Sequence, residues 1–227
     1  DAGYYSLPGG IHTRHAMTLK LYYAPGACSF VPHSMLELAG ATFEAVPIKL
    51  HKGEQYGDDY KALNPRSQVP VLVAGGEVLT QIVAIVSYID AAFPEAHFIP
   101  HQPLARARFY EALAWMNNTV HPAFTHIFMP HKFSDNEAAQ AEMKRFGVAS
   151  YRQLLAELQT MVRRTRAAGS DWLGGVHPGP LDAYALTLLR WGSIAGINPE
   201  DYPELWAQVQ RTAQVPGMAR AVEREKL

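Results

Sequence analysis

The sequence predicts a chain in two parts, a small α/β unit followed by an all-α bundle. Three observations carry this. Between Thr18 and Ala92 the apolar residues change period several times, in an order that reads βαβ and then ββα. Prolines at 94, 100 and 103 then break any periodic pattern. Beyond Pro103 every apolar pattern is helical, as in a bundle.

Each element has its own signal. Leu19–Ala24 is an apolar run that ends at the turn pair Pro25-Gly26. Ser29–Ala39 is helix-compatible, with Pro32 in its first turn and Gly40 placed to end it. Phe43–Lys49 reads as a second strand, and the polar, Gly-containing stretch His51–Tyr60 as a loop or ragged helix. Val71–Ala74 and Glu77–Thr80 flank Gly75-Gly76, a two-residue hairpin signal. From Gln81, the residues Ile82, Val83, Ile85, Val86 and Ile89 fall at helical spacing. The βαβ unit requires a parallel pair with a right-handed crossover, and the ββα unit adds an antiparallel edge. That order is thioredoxin-like. The predicted divisions are 17–93 for this domain, 94–103 for a linker and 104–227 for an all-helical domain. Within the last, Leu104–Met129 reads as one long helix kinked at Pro122, and Asn136–Ala168 as a second. Pro180–Trp191, Tyr202–Ala213 and Gly217–Lys226 are shorter helices.

Residues 1–16 are rich in Gly, Pro, His and Tyr and lack apolar periodicity. They also lack the apolar core of roughly 7–15 residues that a signal peptide carries. They read as an appended remnant or a disordered extension ahead of Met17. The rest has an ordinary composition, 48% hydrophobic and 18% charged. A net charge of −1 gives no electrostatic case for nucleic acid or a membrane surface. No apolar run approaches the roughly 20 residues that span a bilayer. The single cysteine cannot close an internal disulfide, which fits a reducing compartment.

That cysteine, Cys28, sits where a strand turns into a helix. Backbone N–H groups and the positive end of a helix dipole both favour thiolate there. The competing reading is a small buried core residue. His121, His126 and His131 invite a metal reading, but a spacing of five residues is about 500° on a helix, and a helical metal pair needs four. No metal site is predicted.

Several motifs, in order, resemble those of a cytosolic glutathione transferase, most of all the bacterial beta class. Lys20 to Ser29 resembles the first strand and catalytic loop. Asn64-Pro65-Arg66-Ser67-Gln68-Val69-Pro70-Val71-Leu72 resembles the segment carrying the family's cis-proline. Leu79 to Ile85, with Tyr88 and Ile89, resembles the helix that receives the glutamyl end of glutathione. Asp182-Ala183-Tyr184-Ala185 resembles the folding motif of the helical domain. The resemblance covers the chain from about Leu19 to its end.

The resemblance implies glutathione as co-substrate and no metal. It assigns the catalytic role to Cys28, which lies beside the glutathione sulfur and can form a mixed disulfide with it. Ser29 is the runner-up hydroxyl. Tyr22 and Tyr23 also carry a hydroxyl but read first as packing residues on a strand. Val69 presents backbone to the cysteinyl part of glutathione ahead of a cis Pro70, a form that only about 5–6% of X–Pro bonds adopt. Gln81 holds the γ-glutamyl end at a helix start. Ile82 stands where the family has Ser, Asn or Gly. The side-chain hydrogen bond lost there is worth roughly 0.5–1.5 kcal/mol, and the bulk of Ile can block the groove. Lys52 and Arg66 flank the groove as candidate partners of the glycine carboxylate, with plain solvation as the competing reading.

His121 matches a family histidine that points into the cleft, where it can polarise or protonate a reacting group. Pro122 replaces the lysine that often follows it. Phe124, His126 and Phe128 are candidates to line an apolar co-substrate pocket. Gly179 occupies the cap of a helix whose Asp182 is structural. The implied activity is conjugation of glutathione to apolar electrophiles, with glutathione-dependent thiol-disulfide exchange through Cys28, in a cytoplasmic homodimer. The alternatives are a non-catalytic ligand-binding protein on the same fold, or a specialised glutathione-dependent dehalogenase or isomerase.

Overall fold

A computed structural model describes residues 18–227; the reading of residues 1–16 lies outside them. β1 (Leu19–Tyr23) is the centre of the sheet and shows the period-2 burial of a strand covered differently on its two faces. Leu19, Leu21 and Tyr23 point into the main core, whereas Tyr22 packs in a smaller cluster with Ile48, Tyr60 and Val71. α1 (Phe30–Leu38) then crosses to β2 (Phe43–Pro47), which pairs parallel to β1 with Leu21 opposite Ala45.

Two 3-10 turns, Leu50–Lys52 and Glu54–Tyr56, lead into the short α2 (Asp58–Leu63). β3 (Val71–Ala74) lies antiparallel on the other side of β1, with Leu72 opposite Leu21. β4 (Glu77–Thr80) completes the hairpin and the sheet order β2-β1-β3-β4. Gly75 (φ 58°) and Gly76 (φ 93°) make its turn, which needs positive φ twice. α3 (Ile82–Ala92) packs beside α1 on the same face of the sheet.

The connecting stretch holds a 3-10 turn at Pro94–Ala96. α4 (Pro103–Trp115) is capped by Gln102, whose side-chain oxygen accepts from the Ala105 N–H at 2.7 Å. The long helix expected over Leu104–Met129 keeps helical backbone from Pro103 to Phe128, but its disturbance falls ahead of Pro122. A π turn at Met116–Val120 separates α4 from α5 (His121–Phe128). Proline forbids its own backbone donor, so the ladder is already disturbed in the residues that precede it.

α6 (Glu137–Ala167) starts at Asn136, whose Oδ1 accepts from the Ala139 N–H at 2.9 Å. α7 (Pro180–Ile194) is almost wholly buried and is the axis of the helical half. α8 (Pro203–Gln214) and α9 (Pro216–Glu225) close the bundle. Gly179 has no side chain to cap α7. Asp182 supplies the cap by accepting from the Gly179 N–H (3.1 Å), the Leu173 N–H (3.1 Å) and Gln208 Nε2 (3.0 Å). This structural role is the one the sequence suggests.

One apolar core runs through both halves, from Leu21, Phe30, Leu36, Leu72 and Ile85 to Leu113, Met116, Tyr151 and Tyr184. α1 is the joint, since Phe30 to Glu37 are all buried between the sheet, α7 and α9. Glu37 accepts from Arg220 Nε at 2.8 Å, which ties α1 to α9. Among the described residues no helix is long and apolar enough to cross a membrane.

Candidate active site

The loop between β1 and α1 carries Cys28. Its Sγ lies 3.6 Å from the Val69 carbonyl oxygen, to which the thiol donates. The Val69-Pro70 peptide is cis. The two motifs, 41 residues apart in sequence, therefore meet where β1 ends and β3 begins, at one end of the two central strands. The segment before Pro70 is braced from below. Tyr60 Oη and Asn64 Nδ2 both donate to the Gln68 carbonyl at 2.8 Å, and Asn64 Oδ1 accepts from the Arg66 N–H at 3.1 Å.

The thiolate expected from the helix N-terminus is not what the site favours. Cys28 is 8% exposed, and burial pushes its thiol up to about 12, against the smaller opposing effect of the Cys28 and Ser29 backbone N–H groups. Near neutral pH it is a thiol, a donor rather than a nucleophile.

Ser29 does not offer a second catalytic hydroxyl. It is fully buried, and its Oγ accepts from the Ala24 N–H (3.0 Å) and donates to the Ala24 carbonyl (3.2 Å), closing the loop on itself. Tyr23 is buried with its ring 4.7 Å from that of His33, and Tyr22 meets Tyr60 edge-on at 6.0 Å. Both are packing residues.

Gln81 precedes α3 with φ 71°, a left-handed value that a non-glycine residue adopts at a cost. The backbone thus turns an exposed Gln81 outward at the start of the helix. Ile82 is 4% exposed and packs into the main core, so its bulk goes inward. Lys52 and Arg66 are both exposed, on the segment between β2 and β3.

The helical half contributes the opposite wall. His121 Nδ1 is 2.9 Å from the Tyr184 hydroxyl, and its ring meets that of Trp191 edge-on at 4.7 Å. Burial lowers the His121 pKa to about 4, so the imidazole is neutral near pH 7. Burial raises Tyr184 well above the usual phenol range. Trp191 Nε1 donates to the Gly26 carbonyl at 2.9 Å, so the same indole anchors the Cys28 loop. Phe124 stacks on Trp191 (4.8 Å, 19°) and on Phe128 (5.6 Å, 15°). The stack ends at Phe128, which is 59% exposed. His126 lies two residues from each phenylalanine, about 200° around the helix, and its ring packs on Phe133 at 4.4 Å. It does not join the stack.

Sequence reasoning missed three groups that hold this site. Tyr184 was inside a recognised motif but carried no assigned role. Trp191 had no local signal. Glu225, on α9, accepts at Oε2 from the Gly26 N–H (2.8 Å) and pairs at Oε1 with His33 Nδ1 (2.7 Å), both side chains fully buried. Among the described residues no group of three or more His, Cys, Asp or Glu is arranged to hold a metal ion.

A thioredoxin-like sheet with a cis-proline at the entry to β3, a thiol facing it and a helical wall of His, Tyr and Trp together make a candidate site of two halves. The comparisons with known proteins give the family. Residues 17–91 match the family model "Glutathione S-transferase, N-terminal domain". The chain is 31% identical over 214 residues to "Glutathione S-transferase GstA" of Escherichia coli O157:H7, covering 92% of this chain and all of that one. Among solved structures, it is similar to a bacterial beta class glutathione S-transferase of Sphingomonas chungbukensis (TM-score 0.78, 31% identity, 91% and 98% of the two chains). It is also similar to a sphingomonad glutathione S-transferase complexed with glutathione (TM-score 0.77, 33% identity, 92% and 99%). The chain belongs to the glutathione S-transferase family.

Proposed function

We propose that this protein joins the sulfur of glutathione to apolar electrophiles, with residues 17–93 binding the tripeptide and residues 104–227 the electrophile. One observation carries the reading: Cys28 Sγ faces the Val69 carbonyl at 3.6 Å, just ahead of β3, where the backbone of a bound peptide would pair. Val69 would supply backbone partners, Gln81 would hold the γ-glutamyl end, and Lys52 or Arg66 the glycine carboxylate. Ile82 contributes only its backbone N–H.

The chemistry follows from the protonation states. Cys28 enters as a thiol, turns its one proton from the Val69 carbonyl to the glutathione sulfur and so stabilises the glutathione thiolate. That thiolate attacks the electrophilic carbon, an S–C bond forms, and the leaving group departs with the bonding pair. The glutathione proton passes to solvent. Neutral His121, whose Nδ1–H is given to Tyr184, accepts a hydrogen bond at Nε2 on the electrophile side, with Phe124 and Phe128 as the apolar wall. Cys28 also supports disulfide exchange. This exchange is slow, because only the small thiolate fraction, its proton passed to solvent, attacks glutathione disulfide, forming a mixed disulfide and releasing one glutathione thiolate. On family grounds the protein acts as a cytoplasmic homodimer.

Isothermal titration with glutathione, paired with a chlorodinitrobenzene conjugation assay, tests the proposal. Saturable binding with turnover supports it. No binding at millimolar glutathione overturns it, and binding without conjugation leaves the ligand-binding alternative. Cys28→Ala should abolish the adduct that glutathione disulfide forms with the protein, read by mass spectrometry.

A further inference from the structure

Arg190 of α7 lies against the Cys28 loop without a counter-ion. A Cβ at Gly26 would stand 2.3 Å from its Nη1 and 3.2 Å from its Cζ, so the guanidinium fills the space that a side chain at position 26 would take. Gly26 has φ +72°, which suits glycine for a second reason. Among the described residues the Arg190 side chain makes no hydrogen bond and no ion pair. The guanidinium groups of Arg66 and Arg164 share that lack but are exposed, where water solvates them. Arg190 is only partly exposed. The carboxylate that reaches this loop, Glu225, is already used at both oxygens by Gly26 and His33.

A cation partly withdrawn from water and left unpaired is costly unless something neutralises it. Arg190 precedes Trp191, whose ring contacts both His121 and Phe124, and it touches a residue two positions from Cys28. From these contacts we infer that Arg190 binds an anionic group on the electrophile, so that the co-substrate class is acidic: an aryl or other apolar electrophile bearing a carboxylate. The planar fork of a guanidinium matches such a group with two parallel hydrogen bonds. The inference rests on the proposed co-substrate site and names what that site selects.

Two matched pairs of probes test it. The inert pair is 3,5-dinitrobenzoate and 1,3-dinitrobenzene, titrated into glutathione-saturated protein and read by tryptophan quenching. The reactive pair is 4-chloro-3,5-dinitrobenzoate and 1-chloro-2,4-dinitrobenzene, compared as a ratio of kcat/KM. The wild type should prefer the acid in both pairs. In Arg190→Gln that preference should fall about 10- to 100-fold, the scale of one charge-assisted contact, while Arg190→Lys keeps part of it. The glutathione Kd should stay within about twofold, because the contact is assigned to the electrophile and not to glutathione. Absence of any preference for the acid in the wild type overturns the inference without need of a variant. So does an unchanged ratio in Arg190→Gln, or a fall in glutathione affinity by the same factor. If neither chloride is conjugated but dinitrobenzoate binding still depends on Arg190, the transferase proposal fails and this inference stands.

Discussion

The Tyr184 hydroxyl joins Asn117 to His121: it donates to Asn117 Oδ1 at 3.1 Å and stands 2.9 Å from His121 Nδ1. Asn117 Nδ2 donates to Asn118 Oδ1 at 2.8 Å, which leaves the amide oxygen facing Tyr184. With its proton given to Asn117, the phenol accepts from Nδ1–H, and the lone pair of a neutral His121 falls on Nε2. The π turn at Met116–Val120 sets the helical phase that brings Asn117 and His121 to the same hydroxyl. Tyr184 is therefore a positioning residue.

Tyr184→Phe should release that tautomer. The expected result is a fall in kcat of roughly 2- to 10-fold, the worth of one neutral hydrogen bond, with the glutathione KM little changed. A steady-state comparison at saturating electrophile measures it. A proportionate rise in KM, or a kcat equal to wild type, contradicts the role.

Cys28 should resist alkylation. With its thiol pushed from 9.0 to about 12 by burial, the thiolate fraction at pH 7 is lower in the folded than in the unfolded chain. Iodoacetamide should react about a thousandfold more slowly with native protein than with protein in urea. Equal rates would mean the thiol is not held as described.

Gln81 tolerates φ 71° at the start of α3. Gln81→Gly should relieve that conformation and raise the unfolding free energy by about 1 kcal/mol, while weakening glutathione binding. Urea melts and titration calorimetry, run on the same preparation, separate the two effects. Loss of stability together with affinity would show that Gln81 is there for the fold.

Asp182 is held up at about 6 by burial, against the opposing pull of its hydrogen bonds to Leu173, Gly179 and Gln208. Its folded pKa exceeds the unfolded value of 3.8, so its contribution to stability is complete below about pH 4 and is lost as pH rises through 6. The stability of wild type relative to Asp182→Asn should therefore shrink by about 3 kcal/mol between pH 4 and pH 7. Urea unfolding across that range gives the difference; a constant gap would show that the hydrogen bonds fully offset burial.

Gly217→Ala should loosen α9. A Cβ there would meet the Leu38 Cα at 2.8 Å and the Leu38 N at 2.9 Å, and backbone cannot yield as a side-chain tip can. The expected cost is about 1–3 kcal/mol by urea unfolding. A neutral result would mean that α1 and α9 can move apart freely.

Features that depend on neighbours in sequence were legible. Gly75-Gly76 made the hairpin, and Asn136 began α6 where its side chain could cap. The meeting of Cys28 with Val69 and Pro70 was legible only as motif resemblance, because no local rule joins residues 41 positions apart. Thiol ionisation was misjudged at Cys28 because the sequence shows a helix start but not the burial that outweighs it. Ser29 looked like a free hydroxyl because its closure on Ala24 depends on loop geometry. Ile82 looked like an obstacle, and only the phase of α3 turns it into the core. His126 was grouped with Phe124 and Phe128 by proximity in sequence, although helical geometry separates it from them. Glu225, in an amphipathic helix, reads as a solvated charge until α9 is seen against α1.

The Gly26 amide is bound by a carboxylate 199 residues further along the chain. At ribosomal rates of about 5–20 residues per second, roughly 10–40 seconds separate the synthesis of the two. Throughout that interval the segment bearing the lone cysteine has no Glu225 to hold it, and its sulfur is open to oxidants and to other nascent polypeptides. The finished loop owes this anchor to a helix made long after it, so guarding that sulfur during translation falls to the cell rather than to the fold.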